Sequence, residues 1–398
     1  MNTPLKQHLI DPEICIRCHS CEAACTVGAI EHDETNVVVK AEMCNACMDC
    51  IPVCPTGSID NWLIVETAYS LADQYGWREL PRQEEIAEAA SDPAVSDEAT
   101  EPEVAKLLAE AHGGAGGRAR APATASKPTI NLYTLARPAE AIVQGVYRLT
   151  AEGADSDVRH IILDFGAQPF PALEGQSLGV IAPGADGAGR PHLPRLYSIS
   201  SPRDGERPNF NNLSLTVKRE AGGVCSNYLC DLRKGDKVRV AGPFGATFLM
   251  PNDPDARLLM ICTGTGSAPF RAFTMRRQRS ATRGPGDMAL YFGARTPDSL
   301  PYFGPLAKIP DAVLRKRLVF SRVPGSAKEY VQDRLLAEAD EVAGFLNDNR
   351  THIYICGLRG MEEGVEKAFI SIAESVGLPW TALRNAMREE GRYHVETY

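Results

Sequence analysis

Two copies of one cysteine pattern constrain this chain of 398 residues more than any other feature. The copies have the spacing C-x₂-C-x₂-C-x₃-C and consist of Cys15, Cys18, Cys21 and Cys25, and of Cys44, Cys47, Cys50 and Cys54. Thiolates at this spacing hold iron–sulfur clusters. Zinc is the main alternative, but it usually takes its cysteine ligands as spaced pairs. The repeated pattern therefore predicts two [4Fe–4S] clusters.

The paired runs resemble those of two-cluster ferredoxins, in which the fourth cysteine of each run binds the other cluster. This resemblance implies two ligand sets, Cys15, Cys18, Cys21 and Cys54 for one cluster and Cys44, Cys47, Cys50 and Cys25 for the other. The first run departs from the ferredoxin pattern at Thr26, where a proline is usual. His19 lies inside the first run, and we expect it to be a surface residue and not a ligand.

Length and charge narrow the class of protein. A chain this long is expected to form two or three domains. The net charge of −9 gives no case for nucleic-acid binding. No stretch approaches 18 apolar residues, so we expect no transmembrane helix, and the first 11 residues lack the basic and apolar pattern of a signal peptide. Cysteines in metal-binding runs fit a reducing compartment, so the expected location is the cytoplasm.

The N-terminal part divides into a cluster module and a linker. We assign residues 1–65 to the two-[4Fe–4S] ferredoxin-like domain and residues 66–128 to a flexible linker. Glu84 to Glu110 is rich in alanine and acidic residues, and Gly113 to Pro122 is rich in glycine and alanine. Such segments bury too little apolar surface to fold alone, although Val104 to His112 could form a short helix. The linker is either a tether that lets the module move or a passive spacer.

Short alternating strands begin after residue 128. Those predicted are Ala141–Leu149, Val158–Asp164, Ser177–Ile181, Leu213–Arg219 and Lys237–Ala241. Glycine and proline turns separate them, and one helix is predicted at Val224–Leu232. This pattern predicts an antiparallel β-barrel over residues 129–255.

A strand–helix alternation over residues 256–398 predicts a doubly wound α/β domain with a parallel sheet. The predicted strands are Leu258–Cys262, Met288–Phe292, Arg317–Phe320 and His352–Cys356. One predicted helix follows the first strand and ends near Gln278, and two others span Tyr330–Ala343 and Gly360–Val376. Ligands of such sheets bind beyond the carboxyl ends of the strands. Thr265, Gly266 and Cys356 all lie at such ends.

Two segments of the predicted barrel could bind a phosphorylated heterocycle. Arg195, Tyr197 and Ser198 follow one another on a predicted strand. The arginine can pair with a phosphate, the tyrosine can stack on a flat ring, and the serine can bond to a ring nitrogen. Gly222 to Ser226 opens a helix, whose backbone N–H groups can bind a pyrophosphate. In the following domain, the turn Gly264-Thr265-Gly266 after a predicted strand could likewise bind a phosphate, or it could be a tight turn without a ligand.

Residues 129–398 resemble the plant-type ferredoxin–NADP reductase family. The matching segments are Arg195–Ser198, Val217–Arg219, Gly223–Leu229, Gly242-Pro243, Thr263–Gly266, Ala268–Arg271, Phe320–Arg322, Tyr330–Gln332, Cys356–Leu358 and His394–Tyr398. The family consists of an FAD-binding barrel followed by an NADP-binding doubly wound domain. The resemblance therefore implies that FAD is a cofactor and NADPH a cosubstrate.

The resemblance also implies roles for single residues. The implied FAD-binding residues are Arg195, Tyr197, Ser198, Lys218, Gly223, Val224, Cys225 and Ser226, with Tyr197 against the flavin and Ser198 near its N5 atom. The implied NADP-binding residues are Thr265, Gly266, Ser321, Arg322, Lys328, Tyr330 and Gln332. Arg322 would recognise the 2′-phosphate, because a guanidinium pairs well with a dianion. The alternative is that Arg322 is a solvated surface charge.

Four residues are implied to act at the reaction centre, namely Ser198, Cys356, Glu396 and Tyr398. Cys356 and Glu396 match family residues near the nicotinamide. Tyr398 matches a terminal aromatic residue that covers the flavin and must yield its place before hydride passes.

The order of the modules resembles the reductase component of benzoyl-CoA 2,3-epoxidase, through Asp11–Cys18, Cys44–Pro52 and Asp60–Trp62. That resemblance implies electron delivery to a separate di-iron oxygenase in aerobic benzoate degradation, with no nucleic-acid or membrane partner. Two alternatives stay open. One is a ferredoxin–NADP oxidoreductase that serves another acceptor. The other is a non-catalytic electron-transfer subunit, which the complete sets around Arg195 and Arg322 disfavour.

Overall fold

The computed structural model describes residues 5–13, 15–45, 47, 49–51, 53–54, 56, 58–59, 62–65, 67–81, 106, 109, 120–187, 189–207, 210–279 and 287–398. Most of the predicted linker lies outside these residues, and so does most of the helix predicted at Val104–His112. Within the described part of the chain, no helix has the length and apolar character needed to cross a membrane.

The N-terminal module is built from short elements. They are β1 (Leu5–His8), α1 (Ser20–Ala24), β2 (Ile30–His32), β3 (Val37–Val39) and β4 (Trp62–Val65). β1 pairs with β4 and β2 pairs with β3, both antiparallel. The core consists of Ile10, Ile30, Val37, Val39 and Ile59 together with Cys21, Cys50 and Cys54. Because cysteines of the two runs belong to this small core, a group bound to them would contribute directly to folding.

A further helix, α2 (Leu71–Gly76), packs on this module. The side-chain amide of Asn36 donates a hydrogen bond to the Trp77 carbonyl at 2.8 Å. The Gln74 side chain accepts from the backbone N–H of Val39 at 3.0 Å and donates to its carbonyl at 2.9 Å. The contacts of the module thus extend to Trp77, beyond the boundary at residue 65 that the sequence predicts.

The next sheet is antiparallel and has six strands. Its strands are β5 (Ala139–Arg148), β6 (Val158–Asp164), β7 (Ser177–Ile181), β8 (Arg195–Ser198), β9 (Asn212–Lys218) and β10 (Lys237–Phe244), and helix α3 (Val224–Asp231) lies between β9 and β10 in the chain. The strand order is β8-β7-β10-β5-β6-β9. A bridge between Ile199 and Leu215 brings the two edge strands together, so the sheet closes into a barrel. The predicted antiparallel barrel is confirmed.

The C-terminal sheet is parallel and has five strands. Its elements are β11 (Arg257–Thr263), α4 (Ser267–Arg279), β12 (Met288–Ala294), α5 (Phe303–Lys308), β13 (Arg315–Phe320), α6 (Val331–Ala337), α7 (Ala339–Leu346), β14 (Thr351–Gly357), α8 (Met361–Ser375), α9 (Trp380–Glu389) and β15 (Tyr393–Thr397). The order β13-β12-β11-β14-β15 places a topological switch between β11 and β14. The predicted doubly wound fold is confirmed, and the switch marks the crevice where such folds bind ligands.

The prediction from sequence differs from this domain in two places. The helix predicted over Tyr330–Ala343 is two helices, because the backbone leaves the helical region at Glu338 (φ −113°, ψ 37°). The sequence interpretation also did not include β15 or helices α5 and α9.

Buried polar contacts join the barrel to the parallel-sheet domain. The guanidinium of Arg271 donates to both carboxylate oxygens of Glu206, at 2.7 and 2.8 Å. The Tyr302 hydroxyl lies 2.6 Å from that of Thr216 and 2.9 Å from Nδ1 of His160. Burial opposes ionisation of Glu206, but hydrogen bonds from His160 and Arg271 outweigh it and hold the pKa of this carboxyl well below its usual range. These contacts hold the barrel and the parallel-sheet domain in place against each other on one side of the crevice.

Candidate functional site

The cysteines of the two runs fall into two spatial groups. Cys54 lies close enough to Cys15 and Cys21 to help raise the pKa of both thiols, in addition to the larger effect of burial. One cavity is lined by Cys25, Cys44, Cys47 and Cys50. The fourth cysteine of each run thus lies with the first three of the other run. This is the grouping that the crossed ligand sets require, and the ligation itself stays a prediction.

The surroundings of these thiols suit a bound cluster. Burial, reinforced by the neighbouring thiols, raises the pKa of Cys21 well above its usual value. Burial also raises the pKa of Cys50 to about 12. Among these thiols Cys21, Cys50 and Cys54 are buried and Cys18 and Cys47 are exposed. Thiols must lose their protons to bind metal, and a cationic iron–sulfur core would stabilise the thiolates where they converge.

Polar groups also point at the sulfur atoms. The backbone N–H of Ala29 donates to Sγ of Cys25 at 3.2 Å, and the hydroxyl of Ser58 lies 3.2 Å from Sγ of Cys54. Hydrogen bonds to sulfur are among the factors that set cluster potentials. The donor set of both groups therefore fits [4Fe–4S] clusters.

The first part of a second candidate site lies on β8. Arg195 is exposed, and among the described residues its side chain has no hydrogen-bonded or ion-paired partner. Tyr197 packs against the barrel core, and its hydroxyl contacts the thiol of Cys225. Burial and this contact raise the pKa of Tyr197, so the phenol stays neutral. Ser198 follows at the end of the strand, opposite Ser177.

The contact between Tyr197 and Cys225 brings β8 next to the N-terminus of α3. Gly223 caps this helix, and a Cβ atom there would lie 2.5 Å from Oγ of Ser226. The first N–H groups of the helix have no partner within it. The N–H of Gly223 donates to the carbonyl of Glu220 at 3.0 Å, so the donors offered to an anion begin at exposed Val224. A cation, a ring and free N–H groups on adjoining elements fit the phosphates and flat ring of FAD.

Lys218 is placed differently from Arg195. It lies at the end of β9, and its ammonium pairs with the carboxylate of Glu220. Its charge is therefore already partly neutralised.

A third candidate site lies at the switch between β11 and β14. A Cβ atom on Gly266 would lie only 2.2 Å from the carbonyl oxygen of Cys356, so only glycine allows this approach. The hydroxyls of Thr265 and Tyr398 lie 2.7 Å apart. The backbone N–H of Tyr398 donates to the carbonyl of Gly357 at 3.0 Å. The structure therefore brings the glycine turn, the end of β14 and the last residue together.

Cys356 and Glu396 are neighbours across β14 and β15. Both are buried, at 1 % and 8 % exposure. Burial raises the pKa of the Cys356 thiol well above its usual value, and Glu396 and Cys262 act in the same direction. Cys356 is therefore a neutral thiol, suited to contact with a ring and unsuited to nucleophilic attack.

The residues predicted to bind a 2′-phosphate follow β13 on one loop. The backbone N–H groups of Ser321 and Arg322 donate to the carbonyls of Ala294 and Arg295, at 3.1 and 2.7 Å, which anchors the start of the loop. The side chains of Arg322 and Lys328 are exposed and have no ion-pair partner within the described ranges. These two cations are therefore available to an anion.

Tyr330 and Gln332 complete this edge of the sheet. Tyr330 is half-exposed and caps α6. Gln332 lies in the first turn of α6 and packs against Gly364, where a Cβ atom would lie 3.0 Å from its amide carbon. Tyr330 is open to a ligand, whereas Gln332 also has a packing role.

The sequence interpretation gave no role to Thr263. Its hydroxyl accepts a hydrogen bond from the backbone N–H of Leu358 at 3.2 Å. A Cβ atom on Gly357 would lie 2.4 Å from this oxygen. Thr263 thus fixes the end of β14 against β11, and its place in the Thr-Gly-Thr-Gly motif is the signal that could have indicated it.

Comparison with known families assigns all three regions. Residues 14–58 match a family described as "4Fe-4S dicluster domain". Residues 158–248 match "Oxidoreductase FAD-binding domain", and residues 260–367 match "Oxidoreductase NAD-binding domain". The chain therefore joins an iron–sulfur module to an FAD- and NAD(P)-type oxidoreductase.

Individual relatives cover the barrel and the parallel-sheet domain. The chain is 39 % identical over 288 residues to a ferredoxin–NADP reductase of Synechocystis, spanning 68 % of this chain and 70 % of that protein. It is 40 % identical over 290 residues to the cyanelle enzyme of Cyanophora paradoxa, spanning 68 % and 79 %. A solved variant of ferredoxin–NADP⁺ reductase from Plasmodium falciparum in complex with 2′P-AMP has a TM-score of 0.56 and 26 % identity, covering 68 % of this chain and all of that one.

Proposed function

This chain belongs to the ferredoxin–NADP reductase family, and from that premise we propose that it is an NADPH-dependent flavin and iron–sulfur reductase. It passes electrons from NADPH through FAD and two [4Fe–4S] clusters to a separate acceptor protein. The observation that carries this proposal is that one chain joins both reductase domains to a module with two groups of four cysteines. A non-catalytic subunit would not need Arg195 and Arg322 to be exposed and without an ion-pair partner among the described residues.

Bound FAD would accept two electrons as hydride and release them singly, which is the conversion that links NADPH to iron–sulfur clusters. The residues of this chain supply binding and orientation. Arg195 and the free N–H groups after Gly223 would hold the FAD phosphates. Tyr197 would offer its neutral ring to the flavin, and Ser198 its hydroxyl to a ring nitrogen.

NADPH would bind across the carboxyl end of the parallel sheet. Arg322 and Lys328 would pair with the 2′-phosphate, as guanidinium and ammonium groups do with dianions. The Plasmodium relative solved with 2′P-AMP supports this assignment. The turn at Thr265 and Gly266 would take the pyrophosphate. Cys356 would contact the nicotinamide as a neutral thiol.

Tyr398 lies at the same place and has to move before the nicotinamide can reach the flavin. It is 49 % exposed, and its side-chain hydrogen bond runs to Thr265. Closure by Tyr398 would shield the reduced cofactor from water and from wrong acceptors. Glu396, buried behind it, would position the nicotinamide ring.

We propose a di-iron oxygenase that epoxidises benzoyl-CoA as the acceptor, which would place the protein in aerobic benzoate degradation. The support is the resemblance of Asp11–Cys18 and Cys44–Pro52 to the reductase component of that system. The oxygenase would then carry the aromatic substrate. The second candidate is a ferredoxin–NADP oxidoreductase that serves another acceptor, which the identity to such enzymes favours.

Two assays test the proposal. Purified protein should reduce ferricyanide with NADPH, and failure would contradict the reductase assignment. Mixing the protein with a candidate di-iron oxygenase and benzoyl-CoA should stimulate NADPH oxidation, whereas no stimulation would favour the second candidate. A Cys18→Ala variant is the matched control, because it should keep ferricyanide reduction and lose delivery to the oxygenase.

A further inference from the structure

Two histidines and a glutamate converge on the surface of the N-terminal module. His19 precedes α1, Glu22 lies in the first turn of α1, and His32 ends β2. Nδ1 of His32 lies 2.7 Å from Oε2 of Glu22, and Nδ1 of His19 lies 3.4 Å from the same oxygen. We propose that His19, Glu22 and His32 form a binding site for a divalent transition-metal ion such as Zn²⁺, separate from the two cysteine groups.

The ligand set suits such an ion. One ligand atom from each of the three side chains lies within 4.8 Å of the others. Two imidazoles and one carboxylate are a common three-ligand set for zinc, with water in the fourth position. Imidazole also binds copper and nickel, whereas magnesium and calcium prefer oxygen ligands. The site therefore selects for a transition metal.

The distances agree with shared coordination. Ligand atoms about 2.1 Å from one tetrahedral ion lie about 3.4 Å from each other. The separation of His19 and Glu22 already has this value. His32 would need to withdraw from Glu22 by about 0.7 Å to reach it, a small rotation for an exposed side chain.

The local backbone holds His19 in this position. Its φ of +57° lies in the left-handed region, which non-glycine residues seldom adopt. Its ring lies 4.0 Å from that of His32, centroid to centroid. Nδ1 of His19 is shielded from solvent and makes no hydrogen bond to any described residue. A shielded imidazole nitrogen without a hydrogen bond, aimed at a carboxylate and a second imidazole, is what a metal ion would satisfy.

The decisive measurement is zinc binding to the as-isolated full-length protein, by calorimetric titration with ZnCl₂ and by metal analysis after dialysis. Wild-type protein should bind one zinc ion per chain beyond any zinc present at the start. His32→Ala should weaken this binding at least about tenfold, since it removes one of three ligands. His32 is the residue of choice because it lies outside both cysteine runs.

Controls separate this site from other effects. His192→Ala removes a histidine on a barrel loop and should bind zinc as the wild type does. Iron content and visible absorbance must stay unchanged, so that zinc bound in place of iron is excluded. Equal zinc binding by wild type, His32→Ala and His192→Ala would overturn the proposal. Anomalous scattering from zinc-soaked crystals needs no variant: a peak among the three side chains supports the site, and a peak only elsewhere overturns it.

Discussion

The hydroxyl of Thr265 lies 2.7 Å from that of Tyr398, so the last residue of the chain is tied to the glycine turn that follows β11. A second contact, from the backbone N–H of Tyr398 to the carbonyl of Gly357, fixes the main chain. The main chain of Tyr398 is thus anchored by the sheet, while its ring depends on one side-chain hydrogen bond. We therefore expect the ring to be able to move without disturbing β15.

Tyr398→Phe should bind NADP⁺ more tightly than the wild type. The variant keeps the ring but loses the bond to Thr265, which is worth about 0.5–1.5 kcal/mol, so the dissociation constant should fall roughly 2- to 10-fold. Tyr398→Ser should show a larger decrease, because no ring then competes with the nicotinamide. Titration of the flavin spectrum with NADP⁺ measures both values. Unchanged dissociation constants in both variants would show that Tyr398 does not occupy the nicotinamide position.

Arg322→Ala should lose the preference for NADPH over NADH. A charge-assisted hydrogen bond to phosphate is worth about 1.5–3 kcal/mol, so KM for NADPH should rise about 10- to 100-fold while KM for NADH stays unchanged. Steady-state ferricyanide reduction with each nucleotide gives the comparison. Arg137→Ala, an exposed arginine before β5, is the control. An equal loss with both nucleotides would contradict the role of Arg322.

Arg195→Ala should weaken FAD binding more than Lys218→Ala does. Arg195 has no ion-pair partner among the described residues, whereas Lys218 already pairs with Glu220. We expect the first variant to lose most of its flavin on gel filtration and the second to keep most of it. Flavin per chain, from absorbance after denaturation, is the measurement. Equal retention in the two variants would argue against Arg195 as the main phosphate contact.

The sequence predicted the core of the parallel sheet because Leu258–Cys262 in β11 and Ile353–Cys356 in β14 are continuous apolar runs that are fully buried. It missed β15 for the opposite reason. Tyr393–Thr397 contains His394 and Glu396, yet all five residues are buried. A polar strand of this kind shows no apolar run, and only its pairing with β14 makes it part of the sheet. Such pairing depends on the tertiary fold and not on local pattern.

The candidate sites also contain some residues that local sequence pattern identifies and some contacts that only the tertiary fold creates. Local motifs identified Arg195, Gly223 and Thr265, because each lies in a short segment with its own chemistry. The approach of Gly266 to the Cys356 carbonyl joins residues 90 positions apart, and no local signal gives such a distance. The contact of Arg271 with Glu206 across the two domains is of the same kind.

His352 should make the protein less stable in acid. Burial lowers the pKa of this imidazole to about 3, and the charges of His394 and Arg392 act in the same direction. The unfolded state, with a pKa of about 6.5, therefore binds more protons than the folded state between pH 6.5 and 3, so the free energy of unfolding falls as the pH falls through this window. The loss from this residue alone should be about 2 kcal/mol at pH 5.

Thermal unfolding of His352→Gln between pH 7.5 and 5 tests this. The variant cannot take up that proton, so its melting temperature should fall less than that of the wild type as the pH decreases. His192→Gln should follow the wild type. Parallel curves for His352→Gln and the wild type would contradict the prediction.

The crossed grouping of the cysteines predicts which pairs of substitutions act on one cluster. Cys25→Ala and Cys47→Ala should each remove about half of the bound iron. The double variant Cys25→Ala/Cys47→Ala should lose no more than either single variant, because both residues line the same cavity. Cys25→Ala/Cys18→Ala should lose nearly all iron, although both residues belong to the first run.

Iron and sulfide analysis of these variants distinguishes crossed from uncrossed ligation. If each run held its own cluster, Cys25 and Cys18 would share one, and their double variant would then keep about half of the iron. Cys230→Ala is the control, since this buried cysteine lies in α3 outside both runs and should leave the iron content unchanged. Under crossed ligation, the Cys25 and Cys47 substitutions affect one cluster and the iron losses do not add, whereas the Cys25 and Cys18 substitutions affect both clusters and the losses add. The reason is that the fold brings Cys25 to the second run and Cys54 to the first.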